Sequence, residues 1–111
     1  MKGTHLGELE ELVLLAVALL YDEAYGIAIQ NEVHERTQRS ITISTVHAVL
    51  KRLEEKGYLS SRYDGATAER GGRRKHLFRV TASGESVLKM SWDIRNGMWS
   101  SIPKLAFDHG A

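Results

Sequence analysis

The chain has 111 residues, which is enough for one domain that buries its own apolar core. It has no cysteine, so disulfide bonds and thiolate zinc sites are excluded, and a cytoplasmic location is expected. The net charge is only +1, but residues 36–79 contain eleven Lys or Arg against four acidic residues, a net charge of +7, and the remainder contains four basic and ten acidic residues, a net charge of −6. This uneven distribution predicts one face that binds a polyanion and another that avoids it.

The first apolar run extends from Leu12 to Leu20. It is too short to cross a bilayer, and acidic residues come immediately before it instead of the basic flank of a secretory signal: Glu8, Glu10 and Glu11. We therefore predict a helix from Leu6 to about Leu20 in a protein that does not contact a membrane. Apolar residues occur on every side of this helix, which predicts that it is surrounded by protein.

Two further helices are predicted next along the chain. The second extends from about Ala24 to Thr37 and has the alternation of apolar and polar faces that is typical of an amphipathic helix. The third extends from about Ile43 to Lys56, because Thr42 is a suitable N-cap and Gly57 can adopt the left-handed conformation that ends a helix.

A β-hairpin is predicted after the third helix. Residues 58–63 favour a strand, and residues 76–80 alternate in the way expected of a return strand. The segment from Asp64 to Gly72 is turn-like, so the hairpin has a long tip.

A fourth helix is predicted from about Ala82 to Ser101, with Thr81 as its cap and Pro103 beyond its end. At 100° per residue its larger apolar side chains fall on two lines about 120° apart. One line contains Val87, Ile94 and Met98, and the other contains Leu88, Trp92 and Trp99. One face can therefore pack on the domain and leave the tryptophan face for another surface.

Three helices followed by a two-stranded hairpin is the order of elements in a winged helix, which predicts a mainly α fold with a small β-hairpin. Phosphates are contacted by Lys, Arg, hydroxyl groups and helix N-termini, and bases are read by side chains at the exposed start of a helix. The residues of these types are Thr42, Ser44, Thr45 and His47 at the start of the third helix, Lys51 and Arg52 one turn on, and Arg70, Arg73, Arg74 and Lys75 at the hairpin tip. Lys51 and Arg52 have an alternative role in ion pairs, such as Lys51 with Glu55.

The chain resembles the PadR family of bacterial winged-helix transcription regulators. The resemblance is carried by "YGIAIQNEV" in the second helix, "ISTVHAVLKRLEEKGYL" across the third, and "ERGGRRKHLFRVTASG" from the hairpin to the fourth helix. It implies a homodimeric repressor that binds double-stranded DNA at a palindromic operator and dimerises through its fourth helix. It also implies DNA contacts by Thr45, His47 and the basic tip, although the family commonly has Gly in place of Ser44 and Tyr-Pro in place of His47-Ala48.

The resemblance further implies a division into a winged-helix DNA-binding domain, residues 1–81, and a C-terminal dimerisation helix with its tail, residues 82–111. A single long C-terminal helix is typical of the compact subgroup of the family. Some of its members bind aromatic drugs between the dimer helices, so Leu88, Trp92 and Trp99 are expected at a dimer interface or at a site for a small aromatic effector.

Other classes of function are less well supported by the residues. The alternative is a winged helix that serves as a protein-interaction module, whose basic face binds an acidic protein. An enzyme is not expected, because there is no phosphate-binding glycine loop, nucleophile elbow or isolated carboxylate pair. The five histidines have no spacing that suits a metal, so neither a metal nor another cofactor is expected.

Overall fold

The computed structural model describes residues 6–64 and 74–108. Within these ranges the chain forms four α-helices, one antiparallel hairpin and a short 3₁₀ turn at Lys104–Ala106. In chain order they are α1 (Glu8–Leu19), α2 (Gly26–Thr37), α3 (Ile43–Glu55), β1 (Leu59–Tyr63), β2 (His76–Val80) and α4 (Ala82–Ser100). The predicted order of elements, and with it the mainly α winged-helix fold, is confirmed.

The predicted helix boundaries at α3 and α4 result from local hydrogen bonds. The hydroxyl of Thr42 accepts a hydrogen bond from the N–H of Thr45 at 3.1 Å, and the hydroxyl of Thr81 accepts one from the N–H of Gly84 at the same distance. Each threonine therefore satisfies an N–H that the first turn of a helix leaves without a partner. Gly57 has a φ of +83°, the left-handed conformation predicted beyond the end of α3.

The core lies between α1, α2 and α3. The side chains that are almost fully buried include Leu14 and Val17 of α1, Ile29 of α2, and Leu50 and Leu53 of α3. Each of these three helices contributes one face to the core. Burial of each leucine-sized side chain stabilises the fold by about 2 kcal/mol. The packing of α2 and α3 against α1 thus depends on an ordinary apolar core.

The hairpin closes this core on one side. Its strands pair in a register that extends from Leu59 opposite Val80 to Tyr63 opposite His76. Leu59, Leu77 and Phe78 are buried. The N–H of Phe78 also donates to the carbonyl of Ala24 at 2.9 Å, which attaches β2 to the connection between α1 and α2. The turn predicted for the tip lies almost entirely outside the described residues.

The prediction that α1 is covered on every side is wrong for the single chain. Leu15 and Leu19 are 42% and 56% exposed, because the contacts of α1 with α2, α3, β2 and α4 leave these two side chains uncovered. Likewise, Val87 of α4 is buried, but Ile94 and Met98 on the same line of the helix are exposed. The second half of α4 extends beyond the core.

None of the helices in residues 6–64 and 74–108 is both long and apolar enough to cross a membrane. In the same ranges no three His, Asp or Glu side chains come together in a way that could hold a metal ion.

Candidate nucleic-acid interface

The start of α3 presents three hydroxyl groups close together. The hydroxyl of Thr42 donates to that of Thr45 at 2.9 Å and lies 3.2 Å from that of Ser44. The first turn of α3 contains no acidic residue, so the partial positive charge of its N–H groups is not cancelled. Hydroxyl groups at a helix N-terminus without a nearby acidic residue form a surface suited to a phosphate or to the polar edge of a base.

One face of α3 is exposed along the length predicted to contact DNA. Ser44, His47 and Lys51 are all exposed and follow at three- and four-residue spacing, so they lie in one row. The opposite face, which includes Val46 and Leu50, is buried. The alternative ion pair between Lys51 and Glu55 is not formed, and Lys51 has no carboxylate partner among the described residues.

His47 lies against the first residue of α2. A Cβ atom built on Gly26 would lie only 2.9 Å from Cε1 of His47 and 3.4 Å from Cδ1 of Ile43. Glycine at this position therefore allows α3 to approach the start of α2 closely, and the imidazole of His47 rests there. Sequence reasoning did not identify Gly26, because a glycine at a helix start has several explanations until its neighbour in space is known.

Arg52 differs from Lys51 because it has a partner on α1. Its Nε lies 3.4 Å from Oε2 of Glu10, and Nζ of Lys56 lies 2.9 Å from both oxygens of the same carboxylate. Glu10 is only 6% exposed. Burial raises the pKa of Glu10, but Lys56, the N–H of Gly7 and Arg52 together outweigh it and hold the pKa below its usual value. Arg52 therefore links α3 to α1, a contact that the sequence did not reveal.

The end of the hairpin strands nearest the tip holds two of the predicted cations on aromatic rings. The guanidinium of Arg74 lies 5.2 Å from the ring centroid of Tyr63, which is itself stacked on His76 at 4.3 Å. The ammonium of Lys75 lies 4.7 Å from the ring centroid of Tyr25. A cation–π contact orients the side chain without neutralising its charge. The predicted residues Arg70 and Arg73 lie outside the described residues.

A second basic pair lies on the hairpin strands and was not among the predicted site residues. One oxygen of Asp22, Oδ1, accepts hydrogen bonds from Arg62 on β1 and Arg79 on β2, each at 3.0 Å. These hydrogen bonds, first that of Arg62 and then that of Arg79, lower the pKa of Asp22 below its usual value. Arg79 also lies over the ring of Tyr21, 5.0 Å from its centroid.

A groove of about 820 Å³ lies between α1, β2 and α4. Its walls include Leu15, Tyr21, Leu88 and Trp92. Trp92 is 64% exposed and Trp99 is 69% exposed, but Trp99 does not line the groove and lies 6.2 Å from the ring of Phe107 instead. Of the three residues predicted at a dimer or effector site, two therefore share one surface and the third lies further along the helix.

Comparison with known proteins gives a consistent result. The family model described as "Transcriptional regulator PadR-like family" matches residues 14–90. A PadR family transcriptional regulator from Eggerthella lenta DSM 2243 is 26% identical, with a TM-score of 0.66 over 88% of this chain and 85% of that one. A PadR family transcription regulator from Clostridium difficile R20291 is also 26% identical, with a TM-score of 0.65 over 85% and 96%. An uncharacterised protein of Lysinibacillus sphaericus is 33% identical over 84 residues, which is 74% of this chain and 72% of that protein.

Proposed function

This chain belongs to the PadR-like family of transcriptional regulators, which bind DNA, and we propose that it is a homodimeric repressor that binds a palindromic operator. The observation that carries this proposal is the exposed row on α3, which begins at an unopposed helix N-terminus and lies beside a basic hairpin. In a winged helix these two elements contact adjacent parts of one duplex.

The residues divide into those that read bases and those that hold the backbone. Ser44, Thr45 and His47 border or enter the major groove, since they lie at the exposed start of α3. Phosphates, or a minor groove, are contacted by the remaining residues of the predicted set: Thr42, Lys51, Arg70, Arg73, Arg74 and Lys75. Arg52 contributes less, because Glu10 already occupies its guanidinium.

Residues 82–111 supply the dimer contacts in this proposal, and residues 1–81 form the DNA-binding domain. The second half of α4 exposes large apolar side chains that a single chain cannot cover, among them Ile94, Met98 and Trp99. A second copy of α4 would cover them and would set the distance between the two α3 helices, and therefore the spacing of the operator half-sites.

The groove that contains Trp92 is the proposed site for a small aromatic effector. It has the size of an ordinary ligand pocket, and its walls are mostly apolar, with Asp22, Arg79, Glu85 and Lys89 as the charged groups. An aromatic ligand stacked on Trp92 would touch the same surface that α4 offers to a partner chain, so it would alter the dimer. Quenching of tryptophan fluorescence in Trp99→Phe, but not in Trp92→Phe, is the expected signature.

The function is tested by fluorescence anisotropy with the DNA upstream of this protein's own gene, at two salt concentrations, with and without random competitor DNA. Binding that survives the competitor and weakens steeply with salt is expected of a specific regulator. Binding that the competitor abolishes would contradict the proposal and favour a protein-interaction module with an acidic partner.

Substitutions test the division of roles. Thr45→Ala or His47→Ala should weaken binding to the operator more than binding to random DNA, because base contacts are lost. Arg74→Ala with Lys75→Ala should weaken binding to both and lower the salt slope by roughly one per cation that contacts phosphate. Equal losses on both kinds of DNA from the α3 substitutions would overturn the assignment of base reading to α3.

A further inference from the structure

The connection between α1 and α2, residues 20–25, contacts three of the basic side chains of the hairpin. Asp22 bridges Arg62 and Arg79, as described above. Lys75 lies over the ring of Tyr25, and its ammonium is 3.9 Å from the carboxylate of Glu23. Asp22 and Glu23 thus place two negative charges beside a hairpin that is otherwise suited to a polyanion.

The bridge at Asp22 joins both strands to one point. Arg62 is opposite Leu77, and Arg79 is opposite Ser60, so the two arginines lie on the same face of the hairpin in neighbouring pairs. Asp22 has a φ of +69°, a left-handed conformation that Asp and Asn adopt more readily than most residues. The carboxylate is therefore placed by its own backbone conformation, and each strand donates one hydrogen bond to it.

The bridged arginines lie on the opposite face of the hairpin from Arg74, one of the two described hairpin cations assigned to DNA. Residues alternate between faces along a strand, so Ser61 and Tyr63 point away from Arg62. Ser61 donates to the carboxylate of Glu54 on α3, and Tyr63 carries Arg74. The face with Ser61 and Tyr63 is thus the α3 side.

We propose that Asp22 is a positioning residue for DNA binding, which fixes the angle of the hairpin relative to α3 by bridging Arg62 and Arg79, and that neither arginine contacts DNA. This inference rests on the proposed function, in which α3 and the hairpin contact one duplex. The buried residues Leu59 and Phe78 hold the hairpin to the core, but without a bridge the part nearer the tip would allow Arg74 more positions relative to α3. A bridge to both strands restricts these positions before DNA binds, and so reduces the entropy lost on binding.

The test is Asp22→Asn, with Glu23→Gln as the matched control. Asparagine retains the left-handed backbone but loses the charge that holds both guanidinium groups, and the control removes the same charge from the adjacent residue. Operator affinity should fall roughly three- to tenfold in Asp22→Asn, as expected for loss of one member of a network, with an unchanged salt slope. Affinity should not fall in Glu23→Gln. Thermal melting followed by circular dichroism should be nearly unchanged in both, because exposed ion pairs contribute little to stability.

The opposite result has a distinct signature. If Arg62 and Arg79 contacted phosphate, Asp22 would compete with DNA, and Asp22→Asn would tighten binding and steepen the salt slope. That result would overturn the proposal, as would unchanged affinity, or a loss of affinity that only follows a fall in melting temperature.

A second set of variants separates this proposal from the proposed function. Arg62→Gln with Arg79→Gln should weaken operator binding as much as Asp22→Asn, and the triple variant should show no further loss, because all three remove one bridge. Additive losses would overturn the bridge. The Arg74→Ala, Lys75→Ala variant lowers the salt slope if the hairpin contacts DNA. If it does so while Asp22→Asn has no effect, only the role of Asp22 fails; if the slope is unchanged, the proposed function fails.

Discussion

The two halves of α4 form one continuous helix but have different surroundings. In the first half, Gly84 and Val87 are buried against the hairpin and the core. In the second half, every residue from Trp92 to Ser100 is exposed, and Arg95 forms an ion pair with Glu11 of α1. The contrast indicates that the first half determines the stability of the single chain and that the second half is available for association with another chain.

Gly84→Ala should have the largest effect on stability. A Cβ atom at this position would lie 2.3 Å from the carbonyl oxygen of Tyr58 and 2.7 Å from Cγ1 of Val80. The same carbonyl accepts a hydrogen bond from Thr81, so it cannot move freely. We expect the free energy of unfolding, measured by urea denaturation, to fall by about 3 kcal/mol. An unchanged value would mean that α4 is not held against the hairpin, and the contrast between its halves would disappear.

Trp92→Ala tests whether the exposed second half of α4 forms a dimer contact. If a second copy of the chain covers this surface, loss of a central tryptophan should raise the dimer dissociation constant by roughly thirtyfold, or about 2 kcal/mol. Analytical ultracentrifugation measures this constant, and Lys89→Ala, one turn earlier on the same helix, is the control. A dissociation constant that is the same in both variants and the wild type would contradict a dimer contact at Trp92.

Glu10→Gln tests how much the ion pairs between α1 and α3 contribute to stability, and how this contribution depends on pH. Because the pKa of Glu10 is lowered in the folded chain, its ion pairs contribute stability above the pKa of the unfolded chain, and this contribution is lost as the pH falls through the folded pKa. At neutral pH we expect Glu10→Gln to lower the free energy of unfolding by about 1–2 kcal/mol. The difference from the wild type should shrink on acidification.

Glu8→Gln is the matched control for this experiment. Glu8 pairs with Arg39 at 2.8 Å, but its side chain is exposed, so its removal should change stability by at most about 0.5 kcal/mol. A difference between Glu10→Gln and the wild type that stays constant from neutral to acidic pH would show that the carboxylate contributes through its shape and not through its charge.

The features that the sequence predicted well are those that depend on neighbouring residues. The caps at Thr42 and Thr81 and the left-handed Gly57 each involve hydrogen bonds or conformations within a few residues. The pairing of the hairpin followed from alternation, which is also local. The exposed row on α3 could be predicted for the same reason, since helical spacing alone brings Ser44, His47 and Lys51 together.

The features that the sequence did not predict involve residues that are far apart in the chain. Asp22 contacts Arg62 and Arg79 across separations of 40 and 57 residues, and Glu10 contacts Lys56 across 46. An exposed carboxylate has many possible partners until the fold is known. The exposure of Leu15 was missed for the same reason, because it depends on how far α4 extends along α1.

Gly97→Ala should have a small effect on stability, with the opposite sign to that of Gly84→Ala. A Cβ atom on Gly97 would meet nothing within 4 Å, so alanine adds helix propensity without a clash. We expect the free energy of unfolding to rise by about 0.5–1 kcal/mol. The dimer dissociation constant should stay the same as long as no backbone of a second chain approaches this position. Weaker dimerisation in Gly97→Ala would contradict that expectation and would locate a close contact between copies of α4 at Gly97, because only a tightly opposed surface distinguishes a hydrogen atom from a methyl group there.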